Sequence, residues 1–470
     1  MIKEVDTKYG KLESVKSPAG FALFKGIPYA KPPIGDRRFK FPQEPDYEEK
    51  IRKCDNFGPV SPQASFSMHD ETGHVITKTP GYAYPPQMDE DCLYLNVYTP
   101  ANSPDDMLPV MVYIHGGGLQ AWYGSCYEYC GDGFCEKGCI VVTINYRLNV
   151  FGFYVNKELA KESGNNASGN YGIMDQIMAI RWVKENIKGF GGDPENITIF
   201  GQSGGARAVQ AICCSTLTKG LFQHAAMHSG GGLFTTFGIV TREQMEVRGE
   251  EFMHFCGCKS IEEMRKMPWQ DLEQNNIEFV KTSFLNTFNV YGDGYVVPES
   301  IEACAFKGNM HNVDYLMGTT VDEGYNPDIT SVFGNDMAPS ARLLGRQLIA
   351  HGLKEPYVYC FDRPQPGDDI GTPHSCDNRY VFGTLDDTWR PYTEDDYKLS
   401  ETMLSYWSNF AKYGDPNGDN MPKWKTFGKE GYTMRLCVPE CRSEIHPNLL
   451  KMNEREGKIL ENLKKILGEQ

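Results

Sequence analysis

Uninterrupted apolar runs of about 18 residues, the length that spans a bilayer, are missing from this chain of 470 residues. Also missing is an apolar leader. The opening MIKEVDTKYGKLESV is charged and alternating, with no small-residue cleavage site. A protein trimmed of its signal would begin in the same way. Positive charge is in deficit: 47 Lys and Arg against 62 Asp and Glu give a net −15. Such a surface repels nucleic acid and anionic membranes, so neither is an expected partner. Paired C-x-x-C knuckles are absent too. The densest thiol cluster, CYEYCGDGFCEKGC, spaces Cys126, Cys130, Cys135 and Cys139 unlike a structural zinc site. Packed thiols are expected there and at Cys256 and Cys258, and no metal site is expected. Fifteen cysteines with no leader suit a reduced, cytoplasmic protein with buried thiols. Internal repeats, low-complexity tracts and a convincing linker are lacking. The Pro/Gly-rich patches 81–87, 363–373 and 414–418 are short enough to be surface loops.

What is present is core material: 40% of residues are hydrophobic and 12% aromatic. Length alone suggests roughly three domains of about 150 residues, but large α/β enzymes exceed that as one unit. One domain over 1–470 is expected. Strand-length apolar runs occur at Val110–His115, Ile140–Tyr146, Ile197–Phe200, Ala225–His228, Tyr315–Gly318 and Tyr357–Phe361. They are almost continuously apolar, as strands covered on both faces must be. Between them lie helical patterns, the clearest over Ile173–Ile187, with apolar residues at near-helical spacing. The alternation predicts an α/β fold with a large, mostly parallel central sheet and helices on both faces. The tail from Pro447 to Gln470 reads as an amphipathic helix docked on the body, with a dimer contact as the alternative.

Two glycine-rich turns carry chemistry. IFGQSGGARAV contains Gly-x-Ser-x-Gly between a strand end and a helix start, which places Ser203 on a tight, strained bend. Glycines two residues to either side remove the β-carbons that would clash there. The serine oxygen then projects at the carboxyl end of the sheet, where open α/β folds bind ligands. YIHGGG puts Gly116, Gly117 and Gly118 directly after a buried strand, leaving backbone amides bare to approach a carbonyl oxygen. The bland readings are a glycine-rich turn and a flexible loop. Flexibility is an odd property for the end of a core strand.

With these turns on the page, the chain resembles the type-B carboxylesterase family, the cholinesterase-like branch of the α/β-hydrolases. The likeness runs through FKGIPYAKPPIGDRRF, EDCLYLNVY, VYIHGGG, NYRLNVFGF, GNYGIMDQIMAIRWVKENIKGFGGDPENITIFGQSGG and WSNFAKYGDPN, in that order. It implies the α/β-hydrolase fold and a serine esterase that forms an acyl-enzyme and needs no cofactor. Ser203 is implied as nucleophile and Glu323, in LMGTTVDEG, as acid. His374, in GTPHSCDNRYVFG, is the implied base, with the backbone N–H groups of Gly117, Gly118 and Gly204 as the oxyanion hole. Asp322 and Asp328 are the fallback acids. His224 and His228 read as structural. The chain order Ser, Glu, His is the one this fold uses. Arg38 with Glu90, and Arg147 with Asp175, are implied as scaffold ion pairs.

The departures from the family pattern matter as much. Gln202 stands where an acidic residue usually precedes the serine, which argues against a quaternary ammonium substrate. Leu119 replaces the usual aromatic after the glycines. Ser61, in GPVSPQ, replaces the cysteine that relatives bond to the counterpart of Cys92, which again favours a reducing compartment. Only 51 residues separate Glu323 from His374. The cap between acid and histidine is therefore shortened and a shallower site is expected. The expected activity is hydrolysis of small or medium, neutral carboxylic esters, with a small-molecule ester and water as partners. The alternatives are amides, thioesters or lipids as substrates, or a non-catalytic binding protein of the same fold.

Overall fold

Val110, Val112 and Ile114 point into one hydrophobic core, while Met111 and Tyr113 point into another. That split follows from the two-residue period of a strand. It repeats at Ile140, Val142 and Ile144 against Val141, and at Tyr315 and Met317 against Leu316. Both faces are buried, so the strand sequences are continuously apolar. The computed structural model in which this is seen describes residues 1–64, 86–235, 239–283, 287–323 and 331–469. Asp328 and positions 81–85 lie outside the described residues.

The strands, in chain order, are β1 (Glu4–Thr7), β2 (Gly10–Glu13), β3 (Val15–Lys16), β4 (Ala22–Pro28), β5 (Glu48–Lys53), β6 (Tyr94–Thr99) and β7 (Leu108–Ile114). They continue with β8 (Ile140–Ile144), β9 (Gly192–Gln202), β10 (His224–His228), β11 (Asp314–Thr320), β12 (Tyr357–Phe361), β13 (Tyr432–Leu436) and β14 (Arg442–Ile445). β1, β2 and β5 form a small sheet. The others form an 11-stranded sheet in the order β14-β13-β12-β11-β10-β9-β7-β8-β6-β4-β3. From β8 across to β13 every neighbouring pair is parallel. Antiparallel partners close both margins.

Helices cover both faces. Tyr171–Asn186 and Gly204–Cys214 pack on the first core through Ile173, Ile177, Ile180, Val209 and Ile212. Glu394–Tyr413 packs on the second through Leu399, Met403, Trp407 and Phe410. This is the α/β-hydrolase fold. The sequence-level strand boundaries hold to within two residues, except that β9 begins at Gly192, five residues before the expected Ile197. β8 ends at Ile144, and Asn145 and Tyr146 leave the ladder. The Asn145 side chain instead accepts from Gly124 N (2.8 Å) and donates to Pro59 O (3.0 Å), tying two loops to the strand end. β1 to β5, β13 and β14 did not stand out in the sequence, because margin strands are short or mix charged residues into their pattern.

Two buried arginines brace the body. Arg38 meets Glu90 through Nε–Oε1 (2.6 Å) and Nη2–Oε2 (2.5 Å). Arg147 meets Asp175 through Nε–Oδ2 and Nη2–Oδ1, both 2.7 Å. Burial of Arg147 opposes its charge, but the Asp175 carboxylate outweighs that and raises its pKa. Removing one partner of such a pair typically costs 3–5 kcal/mol, far more than the net worth of the pair. The C-terminal helix Leu449–Leu467 inserts Ile459 and Leu463 into the first core. Its buried Glu456 bridges Arg342 (2.7 Å) and Arg346 (2.5 Å), so the tail is docked on the body.

Parallel packing sets the site. Ile114 lies beside Gly201, and His228 beside both Gln202 and Gly318, so the carboxyl ends of β7, β9, β10 and β11 share one edge. The glycine loop, Ser203, Glu323 and the His374 loop all leave the sheet at that edge.

Candidate active site

Ser203 follows the last residue of β9 and precedes the helix Gly204–Cys214. Its backbone sits at φ 56° and ψ −123°, a strained conformation for a residue with a side chain. Two hydrogen bonds over-determine it. Ser203 N donates to His228 O (2.8 Å), and Arg207 N donates to Ser203 O (3.0 Å). The flanking glycine is required by contact: a β-carbon on Gly205 would lie 2.0 Å from Ile114 O. The bend can therefore form only where strand β7 runs alongside without obstruction.

His374 lies on the loop after β12. Its Nε2 is 2.8 Å from Ser203 Oγ, and its Nδ1 is 2.5 Å from Glu323 Oε2. Glu323 is buried at the end of β11, and its Oε1 accepts from Thr320 N at 2.8 Å. A carboxylate only accepts, so Nδ1 carries the ring proton and Nε2 presents a lone pair to the serine hydroxyl. About a third of the His374 side chain remains exposed, so a ligand can reach it. Burial disfavours its charged form, but the Glu323 carboxylate, helped by Asp377, outweighs that and raises its pKa above the ordinary 6.5. Such an arrangement can take a proton from Ser203 and hold the resulting imidazolium.

The fallback acid Asp322 is turned to another task. Its Oδ2 accepts from Thr372 N (2.8 Å), and its own N–H donates to Thr372 O (3.1 Å). It thereby tethers the loop that carries His374 without touching the ring. The two other histidines singled out in the sequence are structural in their contacts. His224 opens β10 at the far edge and pairs with Asp314 (3.0 Å). His228 accepts from Trp407 Nε1 (2.7 Å), and burial pushes its pKa down to about 3.

The glycine loop meets the nucleophile turn. The point where a β-carbon of Gly204 would sit is 2.7 Å from Gly118 N and 2.8 Å from Leu119 N. Gly117 has φ +89°, and a β-carbon on it would meet Ala121 O at 2.1 Å, so the loop can close up only with glycine there. Among the described residues, the N–H groups of Gly117 and Gly118 are given to no backbone acceptor. Gly204 opens a helix, so its N–H has no intrahelical partner. The glycine loop and the serine turn are thus packed against each other, with Gly118 N close to Gly204.

One site residue was missed by sequence reasoning. Asp377, buried behind His374, accepts from Tyr359 O–H (2.8 Å). Its pKa is pushed up to about 6 by burial, eased by the Tyr359 hydrogen bond and raised again by the Glu323 carboxylate. The only signal available was a carboxylate three residues after the candidate histidine. Cys126, Cys130, Cys135 and Cys139 are buried in the second core and stand apart from this site. Among the described residues, no group of three or more His, Cys, Asp or Glu could hold a metal ion.

The model of the Carboxylesterase family matches residues 2–342 and 331–453. The chain is 32% identical to a para-nitrobenzyl esterase of Bacillus subtilis (strain 168), over 94% of this chain and 96% of that protein. It is 29% identical to liver carboxylesterase 1 of Oryctolagus cuniculus, over 91% and 88%. A solved PNB esterase structure superposes with a TM-score of 0.85 at 29% identity, covering 97% of this chain and 99% of that one.

Proposed function

The chain belongs to the carboxylesterase family and hydrolyses carboxylic esters, and from that premise we propose that Ser203, His374 and Glu323 are its catalytic triad. The observation that carries this is the unbroken relay from Ser203 Oγ through His374 to Glu323, at 2.8 and 2.5 Å.

In the first half-reaction Ser203 Oγ attacks the ester carbonyl carbon while its proton passes to His374 Nε2. The oxygen that gains charge is held by the N–H groups of Gly117, Gly118 and Gly204. Each such donor is typically worth about 2.7–4 kcal/mol in the transition state. The carbonyl–alkoxy bond then breaks, and His374 gives its proton to the departing alcohol. Water attacks the acyl-serine, passes a proton to His374, and the carboxylic acid leaves with Ser203 restored. Gln202, an uncharged neighbour of the triad, supports a preference for neutral alcohol groups over cationic ones. We read residues 1–470 as one catalytic domain, supported by a sheet that draws strands from Val15 through Ile445. A reducing, cytoplasmic setting is supported by Ser61, whose hydroxyl faces the Cys92 thiol.

A fluorophosphonate probe tests the assignment. Covalent labelling is expected on the peptide that carries Ser203, and an active enzyme that labels elsewhere contradicts it. The pH profile adds a second check. Only neutral His374 can take the serine proton, so activity is lost as pH falls through its raised pKa. The acid limb of kcat/KM for an uncharged p-nitrophenyl ester is therefore expected above 6.5, and a limb below that value would mean that burial of the ring outweighs the Glu323 carboxylate.

A further inference from the structure

We propose that Gln202 is a positioning residue for proton transfer: its side-chain amide holds His374 in line with Ser203 and, after half a turn, accepts from the imidazolium that the transfer creates. The inference rests on the triad reading above. Gln202 Nε2 lies 3.2 Å from His374 Nε2, the same ring atom that Ser203 Oγ approaches at 2.8 Å. Glu323 fixes the ring proton on Nδ1, so in the resting state the single lone pair of Nε2 faces the serine O–H at 2.8 Å, with the amide N–H as a longer, weaker second contact at 3.2 Å. Once the serine proton has moved, Nε2 becomes a donor, and an amide N–H aimed at it would be misplaced. A planar amide solves this without moving its outline. Its terminal torsion is soft and roughly two-fold, and rotation exchanges oxygen for nitrogen in the same place.

Gly116 supplies a second, independent observation. It is outside the left-handed region, so its backbone does not require glycine. A β-carbon there would lie 2.8 Å from Gln202 O, 3.0 Å from Gln202 Oε1 and 3.2 Å from Ser203 Cβ. The first glycine of the loop is thus explained as clearance for Gln202 and Ser203, leaving the oxyanion donors to the next two. The charged groups facing the His374 ring are Glu323 and Asp377. Gln202 adds no third charge, and it can serve both protonation states of the ring. A carboxylate in its place would favour only the cation.

Two variants test this. Gln202→Leu keeps the volume and removes the amide. It is expected to lower kcat about tenfold, the size of one hydrogen bond to the imidazole, with KM within about twofold and the acid limb unmoved. Gln202→Glu, nearly isosteric, is expected to move the acid limb up by about one pH unit, as a carboxylate beside an imidazole does. The Glu variant also gives a reading if the Leu variant folds poorly. Wild-type kcat in Gln202→Leu overturns the proposal. So does a raised KM at unchanged kcat, which would mark a substrate contact, or an acid limb that stays in place in Gln202→Glu. Failure here is separable from failure of the triad, because Ser203→Ala would still be inactive.

Discussion

Ser203→Ala is expected to lower kcat on a p-nitrophenyl ester by about a million-fold while the protein stays folded. The magnitude follows from how the triad works. In the proposed triad His374, oriented by Glu323, activates one hydroxyl, and without that hydroxyl it has nothing to deprotonate. Adding His374→Ala to Ser203→Ala should therefore cost little more. Folding should survive because the bend is held by main-chain atoms. Ser203 N still donates to His228 O, and Ala keeps the β-carbon that the strained φ already carries. KM should change little, since the lost interaction belongs to the transition state. Steady-state kinetics with an active-site titration of both proteins is the measurement. Turnover within tenfold of wild type would remove Ser203 from the mechanism.

Glu323→Gln is the second large effect, expected at roughly 10⁴-fold in kcat with the fold intact. The reason is directional. Thr320 N donates to Glu323 Oε1, and that donor would orient the new amide with its oxygen toward Thr320. The amide nitrogen is then left facing His374 Nδ1, where Glu323 Oε2 now sits at 2.5 Å. Two donors cannot share that contact, so the ring adopts the other tautomer, with its proton on Nε2. In that form it cannot accept from Ser203. Asp322→Asn is the control. Asp322 touches Thr372 and not the ring, so its loss should loosen the histidine loop without reversing the tautomer. If Asp322→Asn proved the more damaging of the two, the acid would have been assigned to the wrong residue.

Much of the site was legible because its parts are local. Gly-x-Ser-x-Gly after an apolar strand, three glycines after another, and Asp-Glu-Gly after a third each describe a strand end and its turn. The contact that a β-carbon on Gly205 would make with Ile114 O shows why the phrase needs glycine there: the turn closes only without a side chain. Glu323 was the least secure of the three, with Asp322 and Asp328 as fallbacks, and His374 was hidden on chemistry alone. It sits on a loop with no periodicity of its own, and only the resemblance singled it out among ten histidines. Asp377, Tyr359 and the Gln202 contact were invisible for a different reason. Each depends on which loop lies over which strand end. Glu456 gave no hint either, since an acidic residue on an amphipathic tail ordinarily faces water, and only docking turned it toward Arg342 and Arg346.

By itself the sequence determined the parallel apolar strands, the helices between them, the strained serine turn and the bare glycine loop. These follow from patterning over a few residues, where covalent geometry and side-chain burial leave few choices. Tertiary structure alone decided that an imidazole encoded 171 positions after the serine meets its oxygen at 2.8 Å. It also decided that Glu323 rather than Asp322 faces that ring, and that Gln202 shares it. Those distances are set by the packing of distant strand ends on one sheet edge, and no local pattern encodes a distance across the fold.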